Sequence, residues 1–140
     1  MFQRSTASKG SIVSKNVITK STNGCIISEG TGNLAMEENV AFDNAGDCFV
    51  VNGAESVKMW RNLGAKTRRA ALDGSSSPAT FVVLSSNYTM EGNVAAGSQG
   101  QGFKISLDHG GYSFSKNAAH SNSVVSRNSE TSRAIIWFVY

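Results

Sequence analysis

The chain has 140 residues, of which 40% are hydrophobic and 16% are charged, and its formal net charge is +3. This composition supplies the core of one domain, or of part of a larger one, and disfavours intrinsic disorder. Only Lys66, Arg68 and Arg69 cluster among the basic residues, so a nucleic-acid groove is not expected. No apolar run is long enough to span a membrane. The 14 glycines, the single proline and the frequent Asn and Ser residues favour short strands joined by tight turns.

An internal repeat organises the chain. Residues 33–51 align without a gap with residues 87–105, at an offset of 87 − 33 = 54 residues. A shorter unit is marked by an asparagine followed by an apolar residue, and this anchor recurs with spacings of 23, 23, 31 and 24 residues. The anchors are Asn16, Asn39, Asn62, Asn93 and Asn117. A period of this length is typical of a solenoid, in which each repeat stacks on the one before it.

Each repeat contains two predicted strands. Before most anchors, apolar residues stand at alternate positions, as at Leu34 and Met36 before Asn39, which indicates a strand with one buried face. A second apolar strand follows about ten residues after the anchor, as at Phe49 and Val51. In the third and fifth repeats this strand is delayed to Phe81–Leu84 and Ile135–Phe138. Long loops are therefore expected at about residues 64–79 and 119–133.

These patterns predict an all-β, right-handed parallel β-helix of about five coils over residues 1–140. In such a fold, side chains one coil apart lie about 4.8 Å from each other, so the anchor asparagines are expected to form a hydrogen-bonded ladder. Asparagine also tolerates the left-handed conformation of a sharp turn. Neither end carries an obvious polar cap, which predicts that the chain is a piece of a longer β-helix or has its caps elsewhere.

Cys25 and Cys48 lie 48 − 25 = 23 residues apart, which places them in neighbouring coils. Their expected Cα separation suits a disulfide, whereas parallel Cβ vectors would favour stacked, unbonded thiols. Stacked thiols are the preferred interpretation, and a disulfide is the alternative. No spacing typical of a metal site or of a phosphate-binding loop is present, so neither a metal nor a cofactor is predicted.

Three further segments are candidate sites. The loop with Lys66, Arg68, Arg69 and Asp73 is expected either to bind an anionic glycan or to be a solvated charge cluster. Asp108 and His109 form an adjacent acid–imidazole pair that a turn explains equally well. Asn87-Tyr88-Thr89 is an N-glycosylation sequon, with meaning only in a secreted protein.

Several segments, in the same order, resemble the β-helical repeats of an extracellular family that includes cell-surface and secreted hyaluronidases and fibrocystin-like proteins. The segments that carry the resemblance are Glu38–Asp43, Gly46–Phe49, Asn52–Glu55, Arg61–Thr67 and Gly92–Ser98, followed by Gly102 and Phe103. The resemblance covers roughly residues 11–115 and implies an extracellular or cell-surface location, although the chain starts without a secretory signal.

The resemblance also points to Glu55 as the acid to test. Asp47 stands where the family usually has a histidine, and Asn52 where it usually has an aspartate. We therefore expect a β-helical segment that binds an anionic polysaccharide or an extracellular protein. The alternative is a part of a hyaluronan-type polysaccharide-degrading enzyme, for which no catalytic residue is placed.

Overall fold

The computed structural model describes residues 2–4, 10–71, 77–105 and 111–123. The described residues form short strands without a helix, and every strand pairing is parallel. Each coil contributes one strand to each of three sheets, and each sheet is five strands deep. The chain thus makes four turns between the first and fifth strands of a sheet, which confirms the predicted parallel β-helix.

The three sheets are numbered by the order in which the chain enters them. Sheet 1 contains β1 (Phe2–Arg4), β4 (Ile26–Glu29), β7 (Phe49–Asn52), β10 (Ala79–Leu84) and β13 (Gln101–Ile105). Sheet 2 contains β2 (Ser11–Ser14), β5 (Asn33–Glu37), β8 (Ser56–Trp60), β11 (Tyr88–Glu91) and β14 (Tyr112–Ser115). Sheet 3 contains β3 (Val17–Thr19), β6 (Val40–Phe42), β9 (Leu63–Ala65), β12 (Val94–Ala96) and β15 (Ala118–His120).

The delayed strand of the third coil pairs with the equivalent strands of its neighbours, as the repeat predicts. Phe81 pairs with Phe49 in the coil before and with Phe103 in the coil after. Gly64 and Ala65 belong to β9, so the segment between strands runs from residue 66 to residue 78. The predicted strand at Ile135–Phe138 and most of the predicted loop at residues 119–133 lie outside the described residues.

Sheet 3 gives each coil a third strand, whereas the repeat pattern predicted two. Its residues had been assigned to the anchor segment. Its strands begin directly after the anchor asparagines and have only three residues each. Segments such as Val40-Ala41-Phe42 are apolar at every position, so they show no alternation that would mark a strand.

The core consists of equivalent side chains stacked from coil to coil. The rings of Phe49, Phe81 and Phe103 stack with successive centroid distances of 4.9 Å and 4.9 Å. Met36 and Met59 pair in register and are fully buried. Each such side chain contributes about 1.5–3 kcal/mol relative to an exposed one, so the columns stabilise the stack along its whole length.

The anchor asparagines form the second kind of column. The side-chain Nδ2 of Asn39 donates to Oδ1 of Asn62 at 2.9 Å and to the backbone oxygen of Val13 at 2.8 Å. Equivalent amide-to-amide bonds of 2.9 Å join Asn16 to Asn39 and Asn93 to Asn117. Each interior amide therefore connects three successive coils.

The left-handed residue of this turn is the one before each asparagine, not the asparagine itself. Lys15, Glu38 and Arg61 have φ values of 55°, 54° and 52°. The prediction that asparagine takes the left-handed conformation is thus wrong. Asparagine is required here because its amide supplies both a donor and an acceptor along the stack.

Candidate functional site

Two of the three basic residues predicted to bind a ligand contact one carboxylate. Asp43 directly follows β6 and Lys66 directly follows β9, and both take the left-handed conformation, with φ values of 58° and 57°. Because these turns stack, Lys66 Nζ lies 3.3 Å from Asp43 Oδ1. Arg68 Nε donates to the same oxygen at 2.7 Å, and Arg68 Nη2 donates to the backbone oxygen of Asp43 at 3.3 Å.

This arrangement keeps Asp43 ionised. Partial burial by itself would raise the pKa of the Asp43 carboxyl, but the hydrogen bonds and positive charges of Arg68 and Lys66 outweigh it and lower the pKa. Lys66 Nζ also lies 5.8 Å from the centre of the Phe42 ring, within the range of a cation–π contact. The two cations are thus held side by side by one negative charge.

Lys20 and Arg69 extend the positive surface. Lys20 takes the same left-handed turn position one coil before Asp43, and its side chain is exposed. The backbone amide of Arg69 donates to Gln99 Oε1 at 2.9 Å, which holds the chain beside the next coil while the residue stays exposed. We call Lys20, Lys66, Arg68 and Arg69 the basic edge. It lies at the corner between sheets 3 and 1.

Glu55 does not belong to this edge. It lies in the turn between β7 and β8, at the corner between sheets 1 and 2, where its backbone amide donates to Thr31 at 3.1 Å. Asp47 has a different partner again, since its Oδ1 accepts from the backbone amide of Ala79 at 2.7 Å. The structure therefore brings Lys66 and Arg68 together, places Arg69 at the same corner and places Glu55 at another corner.

Of the two alternatives for the cysteines, the structure has the disulfide, so the preferred interpretation of stacked, unbonded thiols is wrong. Cys25 and Cys48 are bonded, with a Cα–Cα distance of 4.5 Å. Both stand in irregular segments just before β4 and β7, so their Cβ directions are not fixed as parallel by a regular strand. The disulfide joins two successive coils at the corner between sheets 3 and 1, where the basic edge also lies.

Two other predicted sites have different outcomes. Asn87 of the sequon is exposed, as is Thr89, so its side chain is accessible to modification. Asp73, Asp108 and His109 lie outside the described residues.

A second polar column was missed by the sequence analysis. Asn44 is buried, and its Oδ1 accepts from the backbone amide of Ser21 at 2.8 Å. Asn122 accepts in the same way from Ser98 at 2.9 Å. The column contains Ser21, Asn44, Thr67, Ser98 and Asn122, each five residues after an anchor. This constant spacing is the signal that would have found it.

One end of the described solenoid contains a cavity of about 320 Å³. Among the described residues its lining is apolar or neutral, with Val13, Ile18 and Ile26 from the core and Asn16 and Ser21 from the polar columns. It contains no acid–base pair in this part of the chain. Among the described residues there is also no group of three or more potential metal-ligating side chains.

Comparison with known proteins gives one match. A family profile described as CEMIP beta-helix matches residues 1–77, more than half of the 140 residues. Neither the curated proteins nor the solved structures gave a match. No helix long and apolar enough to cross a membrane occurs within the described ranges. The family is associated with extracellular and cell-surface proteins. The stacked parallel sheets and the profile match agree, and the chain belongs to the CEMIP β-helix family.

Proposed function

We propose that this chain is the binding segment of an extracellular protein and that its basic edge binds an anionic polysaccharide. The observation that supports the proposal is the Asp43 cluster, which holds Lys66 and Arg68 beside each other on a rigid corner. Arg69 and Lys20 add exposed positive charge to the same corner. One carboxylate is shared by two cations there, so the edge keeps a net positive charge.

The shape of the solenoid favours a long, repetitive ligand. Turns in successive coils lie about 4.8 Å apart, so Lys20 and Lys66 follow one line along the axis. A polysaccharide that bears a carboxylate in each disaccharide can contact several such positions at once. Because the ladder and the disulfide already fix these turns, little ordering is needed on binding.

The described residues at this corner favour binding over catalysis. Hydrolysis of a glycosidic bond generally requires two carboxyl groups on opposite sides of the scissile bond. The Asp47 carboxylate is engaged by the backbone of Ala79, and Glu55 lies at a different corner. Asp43 is held ionised by two cations, which does not suit it to donate a proton.

Hyaluronan oligosaccharides titrated into the isotope-labelled chain test the proposal by NMR. We expect shift changes centred on Lys66 and Arg69, and binding that weakens as salt rises. The double variant Lys66→Gln/Arg69→Gln should weaken binding at least tenfold. Lys58→Gln is the matched control, because Lys58 is similarly exposed and pairs with Glu37 on sheet 2.

Equal binding by the double variant and the wild type would refute the basic edge as the site. New reducing ends in the same samples would instead show that the chain depolymerises the polysaccharide.

A further inference from the structure

The outward face of sheet 3 presents an apolar residue on each of its five strands. Val17, Val40, Leu63, Val94 and Ala118 pair in register to form one row. Phe42, Ala65 and Ala96 form the middle of a second row beside it, whose two ends are the polar residues Thr19 and His120. Val17 is 74% exposed, Phe42 50% and Leu63 37%. We call the eight apolar residues of the two rows the apolar ribbon.

The outward face of sheet 2, by contrast, carries several charged and polar side chains. The outward positions of sheet 2 include Lys58, Thr89 and the ion-paired Glu37 and Glu91, which is a normal solvated surface. Sheet 3 instead has strands such as Val40-Ala41-Phe42 that are apolar on both faces. Continuous apolar strands are typical of parallel sheets that are covered on both sides. A contiguous exposed apolar surface commonly marks an interaction site.

Positive charge borders the ribbon on both sides. The turn before sheet 3 presents Lys15, Arg61 and Lys116, with side chains that are 78%, 63% and 78% exposed. The turn after it presents Lys20 and Lys66. The carboxylates in these same turn positions are Glu38 and Asp43.

Both border carboxylates are already engaged. Glu38 lies 3.8 Å from Lys15 and 4.0 Å from Arg61. Asp43 is shared by Lys66 and Arg68. Each acid is thus divided between two cations. Lys116 is paired with Glu91 at 2.8 Å, and both borders still have more cations than carboxylates.

We infer that the ribbon docks a polypeptide segment that is apolar along its contact face and acidic on both sides of it. A second copy of this chain would bring like charges together along both borders, so it is not the favoured occupant. Five strands span about 19 Å at the usual strand spacing. An amphipathic helix of about 13 residues covers that length.

A random 16-residue peptide library displayed on phage and selected on the full chain tests this inference. We expect enriched peptides to combine apolar residues with Asp or Glu, and a synthesised peptide to bind more weakly as salt rises. Val40→Thr/Leu63→Thr places β-branched residues, which suit strands, at both positions and should weaken peptide binding at least tenfold. Ile12→Thr is the control, because Ile12 is equally apolar and 72% exposed but lies on sheet 2.

The other outcomes overturn the inference. Enrichment without acidic residues, or peptide binding that survives Val40→Thr/Leu63→Thr, rules out this surface or this chemistry. Sedimentation of a dimer that Val40→Thr/Leu63→Thr disrupts would assign the face to a second copy. Binding to phosphatidylserine vesicles that the same variant abolishes would assign it to a membrane surface.

Two variants distinguish the proposed peptide site from the proposed polysaccharide site. Arg69→Gln should leave peptide binding unchanged, because Arg69 lies beyond the ribbon. Val40→Thr/Leu63→Thr should leave hyaluronan binding unchanged.

Discussion

The side-chain amide of Asn62 donates to Oδ1 of Asn93 at 2.9 Å, although the two residues are separated by the longest loop in the described repeats. Both side chains are buried, with exposures of 1% and 0%. The amide of Asn62 also donates to the backbone of Met36 at 2.8 Å. The insertion within the third coil, between β9 and β10, therefore leaves the ladder continuous.

Replacing the central asparagine should be costly. Asn62→Ala removes the acceptor for both the side chain and the backbone amide of Asn39, at 2.9 Å and 3.1 Å. Buried polar groups left unpaired cost about 1–3 kcal/mol each, so the two donors predict a loss of about 2–6 kcal/mol in urea denaturation. Asn16→Ala, at the exposed end of the column, should cost about 1 kcal/mol or less. Equal losses for the two variants would contradict a cooperative ladder.

Gly64 and Thr80 should show strong energetic coupling. A Cβ added at Gly64 would collide with Cγ2 of Thr80, so Gly64→Ala should cost about 1–3 kcal/mol through overpacking. Thr80→Ser removes that methyl group but keeps the hydroxyl, which bonds to Thr67 at 2.9 Å. A double-mutant cycle by thermal unfolding should show that Thr80→Ser recovers most of the loss. Additive losses would mean that the collision does not set the cost.

The disulfide should stabilise the first coils. Cys25→Ser/Cys48→Ser opens a cross-link between residues 23 apart, and we expect a loss of about 3 kcal/mol in the free energy of unfolding. A reducing agent should lower the stability of the wild type by a similar amount and leave the double variant unchanged. A wild type insensitive to reduction would contradict this role.

Asp43 should make the basic edge sensitive to acid. Its pKa in the folded chain lies below the ordinary value of 3.8, because Arg68 and Lys66 stabilise the ionised form. The stabilisation is therefore fully present above the unfolded pKa and is lost as the pH falls through the lower, folded value. Thermal midpoints of the wild type should exceed those of Asp43→Asn at pH 6 and converge with them in strong acid. A difference independent of pH would show that charge is not the cause.

Tyr88 should be better replaced by phenylalanine. Its side chain is 1% exposed, and its hydroxyl has no hydrogen-bond partner within the described part of the chain. Tyr88→Phe should raise the free energy of unfolding by about 1–2 kcal/mol. Burial, with a smaller effect of Tyr112, raises the pKa of Tyr88 to about 12.

The gain from Tyr88→Phe should also grow with alkaline pH. The unfolded tyrosine ionises near pH 10 while the folded one stays neutral, so the wild type loses stability between pH 10 and 12. Denaturation curves at pH 8 and pH 11 measure the difference between the two proteins. A gap that narrows at pH 11 would contradict the raised pKa.

The repeat alone predicts which residues stack along the axis. Equivalent side chains in successive coils lie on one another, so the number of residues from Asn39 to Asn62 equals the length of one coil. The same logic placed Phe81 over Phe49 despite the inserted loop.

The arrangement of the strands around each coil does not follow from the repeat. The left-handed turns at residues such as Glu38 and Asp43 divide the coil into three strands. The strands of sheet 3 lack the apolar–polar alternation that would have predicted these turns. Those turns place Glu55 and Lys66 at different corners and leave Phe42 facing outward. The physical reason is that the repeat period constrains neighbours between coils, whereas the direction of the chain within a coil depends on local backbone angles and packing.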